Sequence, residues 1–199
     1  MQKEEKLIIG VDEVGRGCIA GPVIACAAIL PEGFVFEKLR DSKKMSEKNR
    51  EAFYEYATEN GASFGIGIAS VIEIEQYNIR RATHIAMHRA IEHLVQNFEF
   101  VEFEKSHIYI DGNDFDTRES WSYETLVGGD DIIPAISAAS CYAKVYRDRF
   151  MKNASENYQD RYHWSTNAGY GTRQHKEALQ QYGMTPMHRP SFVKTLLSK

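Results

Sequence analysis

A chain of 199 residues has room for one domain, or one domain with a small appendage, and an apolar share of 43% with only five prolines excludes an extended, disordered protein. The net charge is 24 − 28 = −4, so no global basic signature marks a nucleic-acid binder, and any such role must rest on a local patch. No apolar run approaches the roughly 18 residues that span a bilayer, and MQKEEKLIIG lacks the cleavage site of a signal peptide, so the chain reads as cytoplasmic.

Leu7 to Val11 and Val23 to Leu30 are nearly continuous in apolar residues, which predicts two strands covered on at least one face and joined through the glycine-rich turn GRGCIAGP. Ser46 predicts the cap of a helix EKNREAFYEYATEN that stops at Asn60-Gly61. ASFGIGIAS alternates as a strand should. Ser70 and Glu73 match a capping box, and from Asn78 the residues Ile79, Ala82, Ala86, Ala90, Leu94 and Phe98 keep a helical apolar stripe. HIYID, His107 to Asp111, is a strand ending in an acid, and Glu124 to Val127 is a further short one. From Pro134 the run AISAASCYAKVYRDRFMKN is small on one side and charged on the other, which suits a helix packed closely on a sheet. Thr172 can cap RQHKEALQQY, before Gly183 and the basic tail MHRPSF. No repeat or linker divides the chain, so the order predicts one mixed α/β domain, residues 1–199, with C-terminal helices from about residue 155 folded over one edge.

Cys18, Cys26 and Cys141 form no C-x-x-C pair and sit among apolar neighbours, as free structural thiols do. The first turn admits three readings. Gly10 to Gly17 resembles a P-loop, but Arg16 and Gly17 stand where that motif needs lysine and then Ser or Thr. Gly15-x-Gly17-x-x-Ala20 fits a dinucleotide fingerprint, yet a strand follows where the fingerprint must open a helix. The third reading is a metal site, in which Asp12 and Glu13 leave a central strand and the glycines let a substrate approach the backbone.

Other acids decide between that reading and two solvated strand-end residues. Asp111 ends a second strand, and Gly128-Gly129-Asp130-Asp131 lies just ahead of the small-residue helix. Gathered acids repel one another unless a cation sits among them, and an all-oxygen set suits Mg²⁺ or Mn²⁺ rather than zinc. DGNDFD lacks the ligand pattern of an EF-hand, and His84 and His88, four apart, read as surface or partly buried helix histidines rather than a chelating pair.

GVDEVGRGCIAGPVIACAAIL, DSKKMSEKNRE, YIDGN, GGDDIIPAISAASCYAKVYRDR and GYGTRQHKEAL with GMTPMHRPSF resemble, in order and spacing, the motifs of the ribonuclease HII family over nearly the whole chain. The resemblance implies a ribonuclease H-like mixed sheet flanked by helices. It implies endonucleolytic cleavage of RNA in RNA–DNA hybrids, including single ribonucleotides embedded in duplex DNA, in replication and repair. Its four metal-binding carboxylates fall on Asp12, Glu13, Asp111 and Asp130, the last chosen over Asp131 because the family's aspartate precedes the isoleucine of ISAAS by six. Two divalent ions, Mn²⁺ or Mg²⁺, about 3.5 to 4 Å apart would then serve an in-line attack that leaves 3′-hydroxyl and 5′-phosphate ends.

The same resemblance makes Gly15, Arg16 and Gly17 a backbone reader of the ribose 2′-hydroxyl, the group that tells RNA from DNA. It makes Tyr170 the sensor of the RNA-to-DNA junction, and Ser42 and Lys43 phosphate contacts. Lys44, Lys144, Arg147, Lys176 and Arg189 can add a basic track, although Lys144 and Arg147, three apart on one helical face, also suit a structural ion pair with a nearby acid. Gly128 and Ala168 depart from the family, which commonly has lysine at both places; the expected result is normal cleavage with weaker binding and a flatter salt dependence. The family's habit implies a monomer; no nucleotide cofactor or membrane partner is expected, and the tail RPSFVKTLLSK shows no sign of an appended clamp-binding peptide. Three other functions compete: a metal-free ribonuclease using His175 or His188 as general acid or base, a non-catalytic hybrid-binding module, and a dinucleotide-dependent oxidoreductase.

Overall fold

The computed structural model describes residues 7–39, 42–97, 105–116 and 121–198, with Lys43 described in its backbone alone. Five strands form one sheet in the order β3-β2-β1-β4-β5. They are β1 (Leu7–Val14), β2 (Val23–Ile29), β3 (Ser63–Ala69), β4 (Ser106–Asp111) and β5 (Tyr123–Leu126). The first three pair antiparallel, while β4 lies parallel to both β1 and β5, which gives the mixed sheet that the element order implied.

β1 runs three residues beyond its predicted end. Asp12 and Glu13 lie inside the strand, opposite Cys26 and Ala25 of β2, while pairing to β4 stops at Val11 and Ile110. Both acids therefore sit where the parallel pair opens, still held by the antiparallel neighbour. β5 lies one residue earlier than the predicted Glu124 to Val127.

Helices cover both faces. α1 (Glu47–Glu59) starts at Ser46, whose hydroxyl accepts the Asn49 amide, and ends at Asn60. α2 (Val71–Asn97) carries the expected capping box, with Ser70 and Glu73 bonded reciprocally. It is broken at Asn78, φ 67°, whose side chain caps the second segment by accepting the Arg81 amide at 3.1 Å. Ala82, Ala86, Ala90 and Leu94 are buried as the stripe requires, and Phe98 lies outside the described residues.

The small stripes allow unusually close packing. A Cβ on Gly67 of β3 would lie 1.9 Å from the Ala86 carbonyl oxygen of α2, and one on Gly10 of β1 would lie 2.1 Å from the Ala135 backbone of α3 (Pro134–Glu156). Helix and sheet backbones touch on both faces, and α3 thereby places Ser137 and Ser140 against the open end of β1 and β4. The other α-helices among the described residues are α4 (Trp164–Asn167), α5 (Arg173–Tyr182), capped by Thr172 as predicted, and α6 (Pro190–Leu197), where the sequence suggests only a basic tail. They share a cluster with Ile19 and Ala20, so this C-terminal segment covers the β1–β2 connection.

Candidate active site

At the open end of the parallel pair, Asp12, Asp111 and Asp130 converge, each offering a carboxylate oxygen within 4.8 Å of the others. Asp12 comes from β1, Asp111 from the last residue of β4, and Asp130 from a single 3-10 turn, Gly129–Asp131, just before α3. Asp12 and Asp130 are buried and Asp111 half-buried. Glu13, the next residue on a pleated strand, faces the opposite side of the sheet and is not part of this trio. It lines a cleft of about 310 Å³ with Arg16, Arg80, His84, Asp111 and Asn113. Asp111 borders both, so it links Glu13 to the cluster.

Each acid of the trio is held by a neighbour. The Asp111 carboxylate accepts the Gly129 amide at 2.8 Å, and the Ser137 hydroxyl donates to the carbonyl of Asp130. The Asp12 carboxylate accepts the amide of Glu13 at 2.7 Å and the hydroxyl of Ser140. Ser42 lies 2.9 Å from Ser140; since Ser140 donates to Asp12, Ser42 donates to Ser140. The buried Ser42 hydroxyl thus supports Asp12 from behind, while Lys43's side chain lies outside the described residues. In sequence Ser140 is one more small residue of a packing stripe, and only its position beside Asp12 shows its role.

Burial is the main reason the Asp12 carboxyl is pushed well above the usual carboxylate range, with repulsion from Glu13 and Asp111 adding to it and the Ser140 hydrogen bond opposing it. A buried carboxylate such as Asp12 that resists ionisation by itself is one that a cation would relieve. The donor set, carboxylate oxygens in a half-buried pocket, fits a hard divalent ion.

The Gly15–Gly17 turn stands beside these acids. Arg16 is exposed, with its guanidinium 3.2 Å from Glu13, and no atom lies within 4 Å of where a Gly17 Cβ would be. The backbone there is open to a ligand. Behind it, two arginines expected on a basic track are instead fully buried. Arg189 donates to the carbonyls of Gly15, Arg16 and Gly21, and Arg147 to those of Ala20, Pro22 and Ala168. Burial lowers Arg189 only to about 10, so it stays charged at neutral pH. Sequence alone treats a lone arginine as solvated, whereas here backbone carbonyls replace the water.

Of the other basic residues, Lys44 is exposed and paired with Asp131 at 2.5 Å, Lys144 pairs with Asp148 at 2.6 Å, and Lys176 is half-buried on α5. Tyr170 is 41% exposed, with the Lys144 ammonium 5.9 Å from its ring centre. It borders a second cleft of about 380 Å³ that also contains Ala168, Arg149 and Lys152.

The histidines are accounted for structurally. Nδ1 of His188 accepts the Thr185 amide, so its proton is on Nε2, which donates to Nε2 of His175 at 3.1 Å. His175 in turn donates from Nδ1 to the Tyr170 carbonyl and accepts the Trp164 indole N–H. Burial holds both below the usual histidine range, His188 at about 4. Buried, neutral and saturated with partners, neither can serve a metal-free nuclease as acid or base. His84 lies 3.4 Å from Asp114, which also binds Arg80, and His88 stacks on Phe115, so these two turn to the 113–116 loop rather than to a shared ligand. The dinucleotide reading fails because β2, not a helix, follows the turn. No described helix is long and apolar enough to cross a membrane.

Residues 9–195 match the family model for ribonuclease HII. The chain is 44% identical over 191 residues to ribonuclease HII of Thermosynechococcus vestitus, covering 96% of this chain and 85% of that one. It is 46% identical over 189 residues to the enzyme of the same name from Sphingopyxis alaskensis, covering 94% and 89%. Among solved structures, ribonuclease H2 of Pyrococcus horikoshii superposes with a TM-score of 0.71 at 21% identity, covering 96% of this chain and 97% of that one. Bst-RNase HIII, solved in complex with Mn²⁺, gives 0.73 at 16% identity, covering 97% and 70%. These structures share the fold.

Proposed function

The chain belongs to the ribonuclease HII family, and from that premise we propose that it cuts on the 5′ side of single ribonucleotides embedded in duplex DNA, leaving 3′-hydroxyl and 5′-phosphate ends. The coarser activity is the family's own: a divalent-metal-dependent endonuclease that hydrolyses RNA within RNA–DNA hybrids. The observation that carries the reading is the convergence of Asp12, Asp111 and Asp130 within 4.8 Å at the open end of the parallel strands.

These three, with Glu13 approaching from the cleft side of Asp111, would hold the metal. When bound, a pair of Mn²⁺ or Mg²⁺ ions supplies an activated water and neutralises charge on the phosphodiester and its leaving 3′-oxygen. The chain contributes position. Ser140, Gly129 and Ser137 fix the acids before substrate arrives, so little reordering is left to the reaction. The open backbone at Gly17, beside exposed Arg16 and with Gly15 buried behind it against Arg147, is suited to meet the ribose 2′-hydroxyl, and Tyr170, exposed at the end of the second cleft, to meet the sugar after it. Ser42 acts through Ser140, which leaves Lys43 as the phosphate contact of that pair.

The test is cleavage of a labelled DNA duplex carrying one ribonucleotide, with Mn²⁺, Mg²⁺ or EDTA, and with both product ends identified. A single metal-dependent cut 5′ of the ribonucleotide is expected. Cutting only continuous hybrids would remove the single-ribonucleotide role and the assignments of Gly15–Gly17 and Tyr170. Cyclic phosphate ends, or activity in EDTA, would sink the metal-assisted mechanism.

A further inference from the structure

We infer that Arg147 and Arg189 are positioning residues for ribose recognition, locking the Gly15–Gly17 turn and the Tyr170 loop into one rigid reader. The inference rests on the proposed roles of that turn and of Tyr170. Its physical basis is a chain of hydrogen bonds joining two segments more than 140 residues apart in sequence. Arg189 holds Gly15, Arg16 and Gly21 from below, at 2.8 to 3.0 Å. Arg147 holds Ala20 and Pro22 at 3.0 Å each and, through its remaining nitrogen, the Ala168 carbonyl at 2.7 Å, two residues before Tyr170. The link is closed by backbone: the Gly169 carbonyl accepts the amides of Ile19 and Ala20, and the Arg189 amide donates to Ile19. On the far side, His175 holds the Tyr170 carbonyl and also contacts His188, which bridges to Ala20.

Two features argue for a function beyond filling the core. A planar guanidinium presents several donors at fixed angles, so each arginine sets the relative orientation of three carbonyls, which a flexible ammonium cannot do. The Gly15–Gly17 turn, moreover, has its carbonyls held from behind while the space over Gly17 stays open, so the constraint falls on the segment that must meet the ribose. A reader built this way recognises the ribose and the following sugar as a unit; loosening either half spoils both.

A double-mutant cycle distinguishes a shared reader from two independent contacts. We would measure kcat/KM on a duplex with one ribonucleotide for the wild type, Arg189→Lys, Tyr170→Ala and the double variant, with thermal melts to establish that each is folded. Each single variant is expected to lose at least tenfold, and the double to fall within about threefold of the worse single. Losses that multiply would overturn the inference and leave Arg189 a structural residue. Should Arg189→Lys not fold, Gly169→Ala takes its place in the cycle: its Cβ would meet the Ala20 carbonyl oxygen at 2.5 Å and wedge the two segments apart while both arginines remain. A wild type that ignores the single ribonucleotide but cuts long hybrids would instead remove the underlying assignment of the two loops, a different outcome from multiplied losses.

Discussion

Asp12 sits buried among like charges, and Arg147 and Arg189 sit buried among carbonyls, three to each guanidinium. Both regions bury charge next to the same turn, yet the first is electrostatically strained and the second is satisfied. The difference separates chemistry from scaffolding. A site that must capture a cation keeps negative charge in reserve, whereas the frame that aims the site neutralises its polarity internally and stays rigid without ligand.

The largest effect should come from the strained side. Asp12→Asn removes one ligand, and cleavage is expected to fall about a thousandfold or more, since the bound metal supplies several kcal/mol of transition-state stabilisation. The same variant should bind a hybrid as well as the wild type or better. In melts without substrate, Mn²⁺ at 100 times its Kd should stabilise the wild type by about 2.7 kcal/mol, a rise of roughly 5 to 11 °C, and the variant far less. Equal metal-induced shifts in both proteins would mean that Asp12 is no ligand and that its strain serves something else.

On the satisfied side the effect should appear in stability. Arg147→Met keeps much of the volume but leaves the carbonyls of Ala20, Pro22 and Ala168 without their donor. The Ala168 carbonyl keeps the weak Cys18 thiol at 3.7 Å, so at about 1 kcal/mol or more for each of the other two buried acceptors the loss is at least about 2 kcal/mol, or roughly 4 to 8 °C in Tm. A melt within 2 °C of wild type would show that water or a shifted backbone replaces the guanidinium, and the comparison would lose one of its halves.

Ser140 stands between the two regimes, a neutral group serving the strained site. Ser140→Ala deletes a donor to Asp12 and strands the Ser42 hydroxyl. Outer hydrogen bonds of this kind are worth about 10- to 100-fold in metal affinity or activity, so the metal titration curve should move by that much while maximal cutting at saturating metal changes less. A pure loss of rate, with the metal midpoint unmoved, would assign Ser140 to substrate instead.

These two regions were not equally legible. Asp12 with Glu13, Asp111, and the pair Asp130-Asp131 stand out because an acid ending an apolar strand, or preceding a small-residue helix, is an anomaly visible within a few residues, while the choice of Asp130 over Asp131 rests on the family resemblance. That Glu13 faces the other side follows from strand alternation once β1 is known to continue to Val14. The small side of α3 announces close packing, and Gly10 shows the backbone contact it permits, whereas the stripe of α2 reads only as apolar and its contact at Gly67 comes from the structure. Arg147 and Arg189 misled because charge alone suggests solvent, and the carbonyls that hold them come from distant segments of the chain. α6 carried a local signal in Pro190 at its first turn, which a basic tail masked.

The smallest predicted effect concerns charge that the second cleft lacks. Ala168 lines that cleft beside Tyr170 and Lys144, and its left-handed backbone, φ 46°, already bears the strain that any larger L-residue would meet there. Ala168→Lys therefore adds no backbone strain, but its stem must leave a buried position, so a melt lowered by a few degrees is expected while the ammonium reaches the cleft where the nucleic acid backbone is proposed to run. One added phosphate contact steepens the dependence of log K on log salt by about 0.9 for a duplex, so affinity should rise a few-fold at 50 mM salt and less at 200 mM, with the metal midpoint unchanged. A steeper slope would extend the substrate path along the Tyr170 side of the molecule. An unchanged slope would mean that the phosphates pass elsewhere and that Tyr170 meets the sugar from the edge of their track, which narrows the reader to the turn and the ring that Arg147 and Arg189 hold together.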